Sequence, residues 1–109
     1  MSFPELLFFP NTVKVRDYRA GGGLGGSYGE PRTLPAEVID VQELVRNAAG
    51  QEVVSSTRVT VHLDANVPLG SLVTVWSQQL GAEREAEVLR VGRDENPPPL
   101  PSHLILWLK

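Results

Sequence analysis

AEVIDVQELVRNAAGQEVVSSTRVTVHL, residues 36–63, reads as two β-arms joined by a polar tip. The second arm, residues 55–63, alternates: Thr57, Val59, Val61 and Leu63 fall on one side, Arg58, Thr60 and His62 on the other. A period of two with β-branched residues on one side marks a strand with one face in a core and the other in water. The first arm, residues 36–45, sets Val38, Ile39, Val41, Leu44 and Val45 among acids. Between the arms, residues 46–51 are rich in turn formers and carry no large apolar side chain. Both arms exceed the usual strand of about 5–6 residues, so the pair is more than one hairpin of a small barrel. A projecting polar tip is where function concentrates. Residues 41–47 also admit a second reading, one short amphipathic turn with Leu44 and Val45 inward.

The same alternation recurs outward from this hairpin. Residues 11–18 set Val13 and Val15 against Lys14 and Arg16, and residues 32–45 carry Pro35, which belongs at an edge or a bulge. Residues 71–77 (SLVTVWS) and 83–91 alternate again. Residues 103–108 are apolar on both faces, the mark of a central or covered strand. The prediction is an all-β fold: a small six-stranded, mostly antiparallel barrel or sandwich with long loops, one domain across residues 1–109. Ten glycines and nine prolines in 109 residues leave no room for a long helix.

Composition narrows the function classes. Charged residues make up 21% and the formal net charge is −3, which argues against a dedicated duplex-binding surface. The chain has no cysteine, so a disulfide scaffold and a thiolate zinc site are excluded. The apolar runs at 6–9 and 104–108 fall far short of a membrane span of roughly 20 residues. The opening MSFPELLFFP lacks a basic leader, so the reading is a soluble chain used without export. Residues 3–10 are expected against the barrel mouth, or else as a docking segment.

Two loops hold patterns that resemble catalytic ones. Within the Gly-rich loop at 19–31, expected to be mobile, Gly21, Gly23 and Gly26 have dinucleotide-fingerprint spacing, and Gly25 to Gly29 around Ser27 spell a nucleophile elbow. Both chemistries need a helix to open directly after the turn. Pro31 and Pro35 follow instead, with no helical periodicity. The Pro-rich strap at 92–102 reads as a stiff connector, with a ligand for a proline-binding domain as the sharper alternative. His62 and Asp64 form an exposed polar pair rather than half a metal site. Glu83, Glu85 and Glu87 share one face, a device against edge pairing. Lys14, Arg16, Arg19 and Arg32 are the one local basic excess, a solvated strand face or a surface for phosphates or an acidic partner. No catalytic, cofactor-binding or metal-binding residue is assigned, and the chain reads as an interaction module rather than an enzyme.

The order of features resembles a known family. FPNTVKVRDYR (residues 9–19), then Tyr28-Gly29-Glu30-Pro31, then VIDVQELVRNAAGQEVVSSTRVTVHLD (38–64) and VPLGSLVTV (67–75) are similar, in sequence and spacing, to the head-to-tail connector proteins of long-tailed actinobacterial phages, specifically their head completion or stopper group. The resemblance implies a β-barrel subunit of a homo-oligomeric ring in the virion neck, assembled in the host cytoplasm. Portal and adaptor proteins would lie above it, tail terminator and tail proteins below. The ring would close the DNA channel after packaging and offer the tail a docking surface. It implies no cofactor, no membrane, and proximity to packaged duplex DNA without sequence-specific binding. The loop matched to the family's channel-facing one is 40–54, with Asp40, Glu43, Arg46, Asn47, Gln51 and Glu52. Its charges sum to −2, which would repel phosphates and keep DNA from sticking. Subunit or partner contacts are expected at Phe3, Leu6, Phe8, Phe9, Tyr28 and Trp107. The competing readings are another neck ring protein such as a tail terminator, a cellular β-barrel binding module, and an enzyme acting through Ser27.

Overall fold

The computed structural model describes residues 9–21, 26–77, 79, 81–95, 97 and 102–109. The strands are β1 (Asn11–Arg16), β2 (Tyr18–Arg19), β3 (Ser27–Tyr28), β4 (Arg32–Arg46), β5 (Glu52–His62), β6 (Leu72–Val75), β7 (Arg84–Asp94) and β8 (His103–Leu108), with a single 3-10 turn at Leu63–Ala65. Six of them close into a barrel in the order β1-β4-β5-β8-β7-β6, and β2 and β3 form a separate two-stranded ladder. Every pairing is antiparallel. Of the barrel and sandwich left open by the sequence, the barrel is the one formed.

The core follows from the alternation. Val13 and Val15, Ala36 and Val38, Val59 and Val61, Val73 and Val75, Ala86 and Val88, and Leu104, Leu106 and Leu108 all point inward and are buried. Valine suits a six-stranded lumen: it fills the narrow space, and its branched Cβ fits the pleat. β8 is central as its double-sided apolarity demands, lying between β5 and β7 with Leu106 opposite Val59 on one side and Val91 on the other.

Several boundaries and roles differ from the sequence reading. Residues 41–47 make no amphipathic turn. β4 stays extended to Arg46, Val45 is buried, and Leu44 is 71% exposed rather than inward. Leu63 leaves β5 for the 3-10 turn instead of ending the alternation. β7 runs on to Asp94, so residues 92–94 belong to the barrel and not to the connector. A bulge between Val88 and Arg90 changes its phase, and Val91 packs on the core. Glu85 and Glu87 do face water, but β7 is flanked by β6 and β8, so they guard no edge. The Gly-rich loop starts and finishes as a ladder, Tyr18 opposite Tyr28 and Arg19 opposite Ser27. Tyr18 lies so close over Gly26 that a Cβ there would overlap its ring. Ser27 is exposed in this ladder, and the chain passes from it into β4 without a helix, so neither glycine pattern has the turn its chemistry needs. The mobility expected of that loop falls on residues 22–25, which lie outside the described residues.

Leu106, fully buried and paired between two strands, should cost about 2–5 kcal/mol on truncation to alanine. Leu44→Ala, on an exposed side of the hairpin, should stay within about 0.5 kcal/mol. Urea unfolding of the two variants beside the parent chain checks both, and a large loss at Leu44 would show that this side chain is covered in the folded monomer.

Candidate functional site

The hairpin of β4 and β5 outruns its neighbours. Its ladder runs from Glu37 opposite Thr60 to Asp40 opposite Thr57, breaks at a bulge, and resumes from Glu43 opposite Ser55 to Arg46 opposite Glu52. β1 pairs with β4 only as far as Ala36, and β8 pairs with β5 only from Thr57 onward. Beyond the bulge, therefore, the described chain is a two-stranded ribbon. Strand alternation places Val45 and Val53 on the side of buried Ser55. Leu44 and Val54 face each other on the opposite side, 71% and 54% exposed.

Asn47 organises the tip. Its Oδ1 accepts the N–H groups of Ala49 and Gln51, each at 3.0 Å, and its backbone is bonded to Gln51 and Gly50. Gly50 sits at φ 79°, a conformation that favours glycine. Arg46 Nη1 donates to the Gly50 carbonyl at 3.2 Å. The turn thus spans residues 47–51, narrower than the loop of 40–54 expected from sequence, whose flanks are ladder. Nor does the tip project freely. Residues 47–49 line one depression with Tyr18, Leu69 and Glu87, and Val45 is buried. On the other flank Arg46 and Glu52 share a depression with Arg90 and Trp107 of the barrel wall.

At the bulge the ribbon is tied to the barrel by a polar knot. Asp40 Oδ1 accepts from Thr57 Oγ1 at 2.8 Å, and Oδ2 from the Trp76 indole N–H at 3.0 Å. Trp76 adopts φ 58°, a left-handed conformation that a bulky residue holds only when its surroundings impose it. Arg84 donates to Ser56 Oγ at 2.8 Å, to Thr57 Oγ1, and to the Lys109 carbonyl at 3.1 Å. Ser55 Oγ donates to the Leu108 carbonyl at 2.8 Å. Buried hydroxyls at two successive inward positions, Ser55 and Thr57, are thereby satisfied. The sequence reading missed Trp76 and Arg84 here. The one available signal was a serine and a threonine at inward positions of an otherwise valine-lined strand.

The geometry gives the acids of the loop different surroundings. Asp40 has both carboxylate oxygens bonded, Glu43 lies 3.4 Å from Arg58, and Glu52 stands opposite Arg46 in the ladder. Asp40 and Glu43 thus have side-chain partners outside residues 41–54, Thr57, Trp76 and Arg58, while Glu52 is exposed.

The expected contact residues scatter. Phe9 is 4% exposed, its ring 4.4 Å from that of His62 and 6.4 Å from that of His103, so within the chain it is already covered. Tyr28 is exposed, edge-on to Tyr18 at 5.8 Å with Arg16 5.5 Å above its ring. Trp107 is half-buried beneath Arg90 at 5.7 Å. Phe3, Leu6 and Phe8 lie outside the described residues. The two histidines, distant in sequence, stand directly opposite each other across β5 and β8, and Asp94 is 3.9 Å from His103. Spacing alone could not reveal that pair, because strand register creates it. Among the described residues no group of three or more His, Asp or Glu side chains could hold a metal ion. Comparison of the chain with known protein families, characterised proteins and solved structures gives no match.

If Asp40 is framework rather than a free acid, Asp40→Ala should cost about 1–3 kcal/mol by leaving Thr57 and Trp76 without their acceptor. Glu52→Ala should stay within about 0.5 kcal/mol. Equal, small effects in urea unfolding would show that the knot contributes nothing to stability.

Proposed function

We propose that this chain is a structural subunit of a phage neck, a head-to-tail stopper whose copies form a ring, close the DNA channel after packaging and present a docking surface to the tail. One observation carries the reading beside the resemblance of the sequence: a closed barrel whose longest hairpin extends beyond both neighbouring strands and ends in an ordered polar turn. A barrel without open edges is a rigid body suited to repetition around an axis. The two-stranded ribbon, held to the wall at Val45 and the Asp40 knot, is the part whose displacement breaks the fewest barrel contacts. Its polar tip, residues 47–51, is then the element that blocks the channel.

Pairing of its charges changes the mechanism by which such a tip would work. A ribbon with a formal charge of −2, two of its acids held by barrel side chains, blocks by volume and does not grip phosphates. Reversing Glu43 and Glu52 to lysine turns the formal charge of residues 40–54 from −2 to +2. The expected result is retained packaging with slower DNA ejection and a stronger salt dependence of ejection. Unchanged retention and unchanged ejection in the double variant would remove the hairpin from the channel. The wider reading is tested by electron microscopy of particles made with and without the protein. Antibody label at the head-tail junction, and tailless heads that have lost DNA when it is absent, are expected. A monomer that never enters particles would leave a cellular binding module in its place.

A further inference from the structure

The outer edge of the distal ribbon has no described partner. Asn11 is the last β1 residue paired with β4, and its Oδ1 accepts the Val38 N–H at 3.1 Å, so a side chain terminates that ladder. The turn after β6 reaches β4 at Asp40 through Trp76. Past that point, along residues 41–46, no described strand pairs with β4 on this side. Among the exposed side chains beside this edge, Val41, Leu44 and, across the ladder, Val54 are apolar, and Gln42 and Arg46 are polar. The edge VQELVR carries neither proline nor lysine, and its glutamate is held by Arg58. Of the devices by which edge strands repel partners, this edge lacks proline and lysine and keeps a bulge at its base, between Asp40 and Glu43, and Arg46 at its far end. A two-stranded ribbon with an exposed apolar side is also marginal by itself and gains most from a third strand.

We propose that residues 3–8 of one copy add as a strand to residues 41–46 of β4 in the next copy. The inference rests on the reading that copies of this chain assemble into a ring. The donor, FPELLF, matches the six-residue edge in length and brings Leu6 and Phe8 to one face, where Val41, Leu44 and Val54 are uncovered. Pro4 is tolerated in an added outermost strand, which has one side free of hydrogen bonds.

Reach explains why the acceptor is another copy. Phe9 is clamped on His62, at the end of β5 opposite the tip. From His62 back to the start of the free edge is about 17–20 Å of strand. Residues 3–8 extend at most about 20 Å, so crossing that distance within one chain would use up the segment and leave too little to pair. Donor and acceptor are different surfaces, so the contact repeats head to tail, and it gives a ring where the rotation between copies closes.

The chain has no cysteine, which permits a direct test on the full-length protein. Chains carrying only Leu6→Cys are mixed with chains carrying only Leu44→Cys under mild oxidation, with Glu85→Cys on the far wall as the control. A disulfide-linked heterodimer is expected with Leu44→Cys and not with Glu85→Cys. A second variant, Leu6→Asp with Phe8→Asp, should raise the concentration needed for assembly at least about tenfold while leaving the barrel's unfolding midpoint unchanged. Cross-linking no greater at position 44 than at 85 overturns the proposal. So does a chain bearing both thiols that forms only an internal, concentration-independent bridge, or assembly that the aspartates leave unaltered. Rings at the head-tail junction without the cross-link would overturn strand donation and leave the neck reading standing. The cross-link in a protein that never enters particles would do the reverse.

Discussion

The fold depends on the short ladder that closes the barrel, Lys14, Val15 and Arg16 of β1 against Thr74, Val73 and Leu72 of β6. Three residue pairs are a small number of bonds, yet they join the first strand of the sheet to the last. Without them two edges would open, and Val13, Val15, Val73 and Val75 would lose cover at once. Closure also fixes strand tilt, and tilt sets how far each strand can run before its neighbour ends. That is why β4 and β5 can be long: their inner halves are held by β1 and β8, and only the remainder is free to form a ribbon.

The boundary between barrel and ribbon is where most of the polar investment lies. Asp40, Thr57, Trp76 and Arg84 come from four strands or their ends and meet at the bulge. Buried hydroxyls there would be costly if unpaired, and each is bonded. The knot anchors the ribbon's base and leaves its far half held mainly by Val45. The same division leaves residues 41–46 of β4 with no described strand on their outer side.

Much of this was legible in the residues. The inward positions of β1 and β5 could be read off alternation, because a half-buried strand cannot hide its period. The hairpin turn was legible too, since Asn47 and Gly50 stand where a tight turn needs them. The amphipathic-turn alternative at 41–47 arose because apolar Leu44 and Val45 are adjacent, and adjacency does not say which of two neighbours is covered. The ends of β7 were misjudged for a related reason: a bulge at Val88 to Arg90 resets the phase, and no residue type announces it.

The sequence alone determined the class of fold and the identity of the long hairpin, because β-branched alternation and turn chemistry are local properties. Tertiary structure decided everything that depends on register around a closed barrel. It set His62 opposite His103, brought Trp76 to Asp40 and Arg84 to Thr57, and put Arg58 beside Glu43. It also left residues 41–46 of β4 with no described strand on one side. Register is a relation between strands far apart in the chain, and a one-residue shift sends a side chain to the other face, so no single stretch could have specified it.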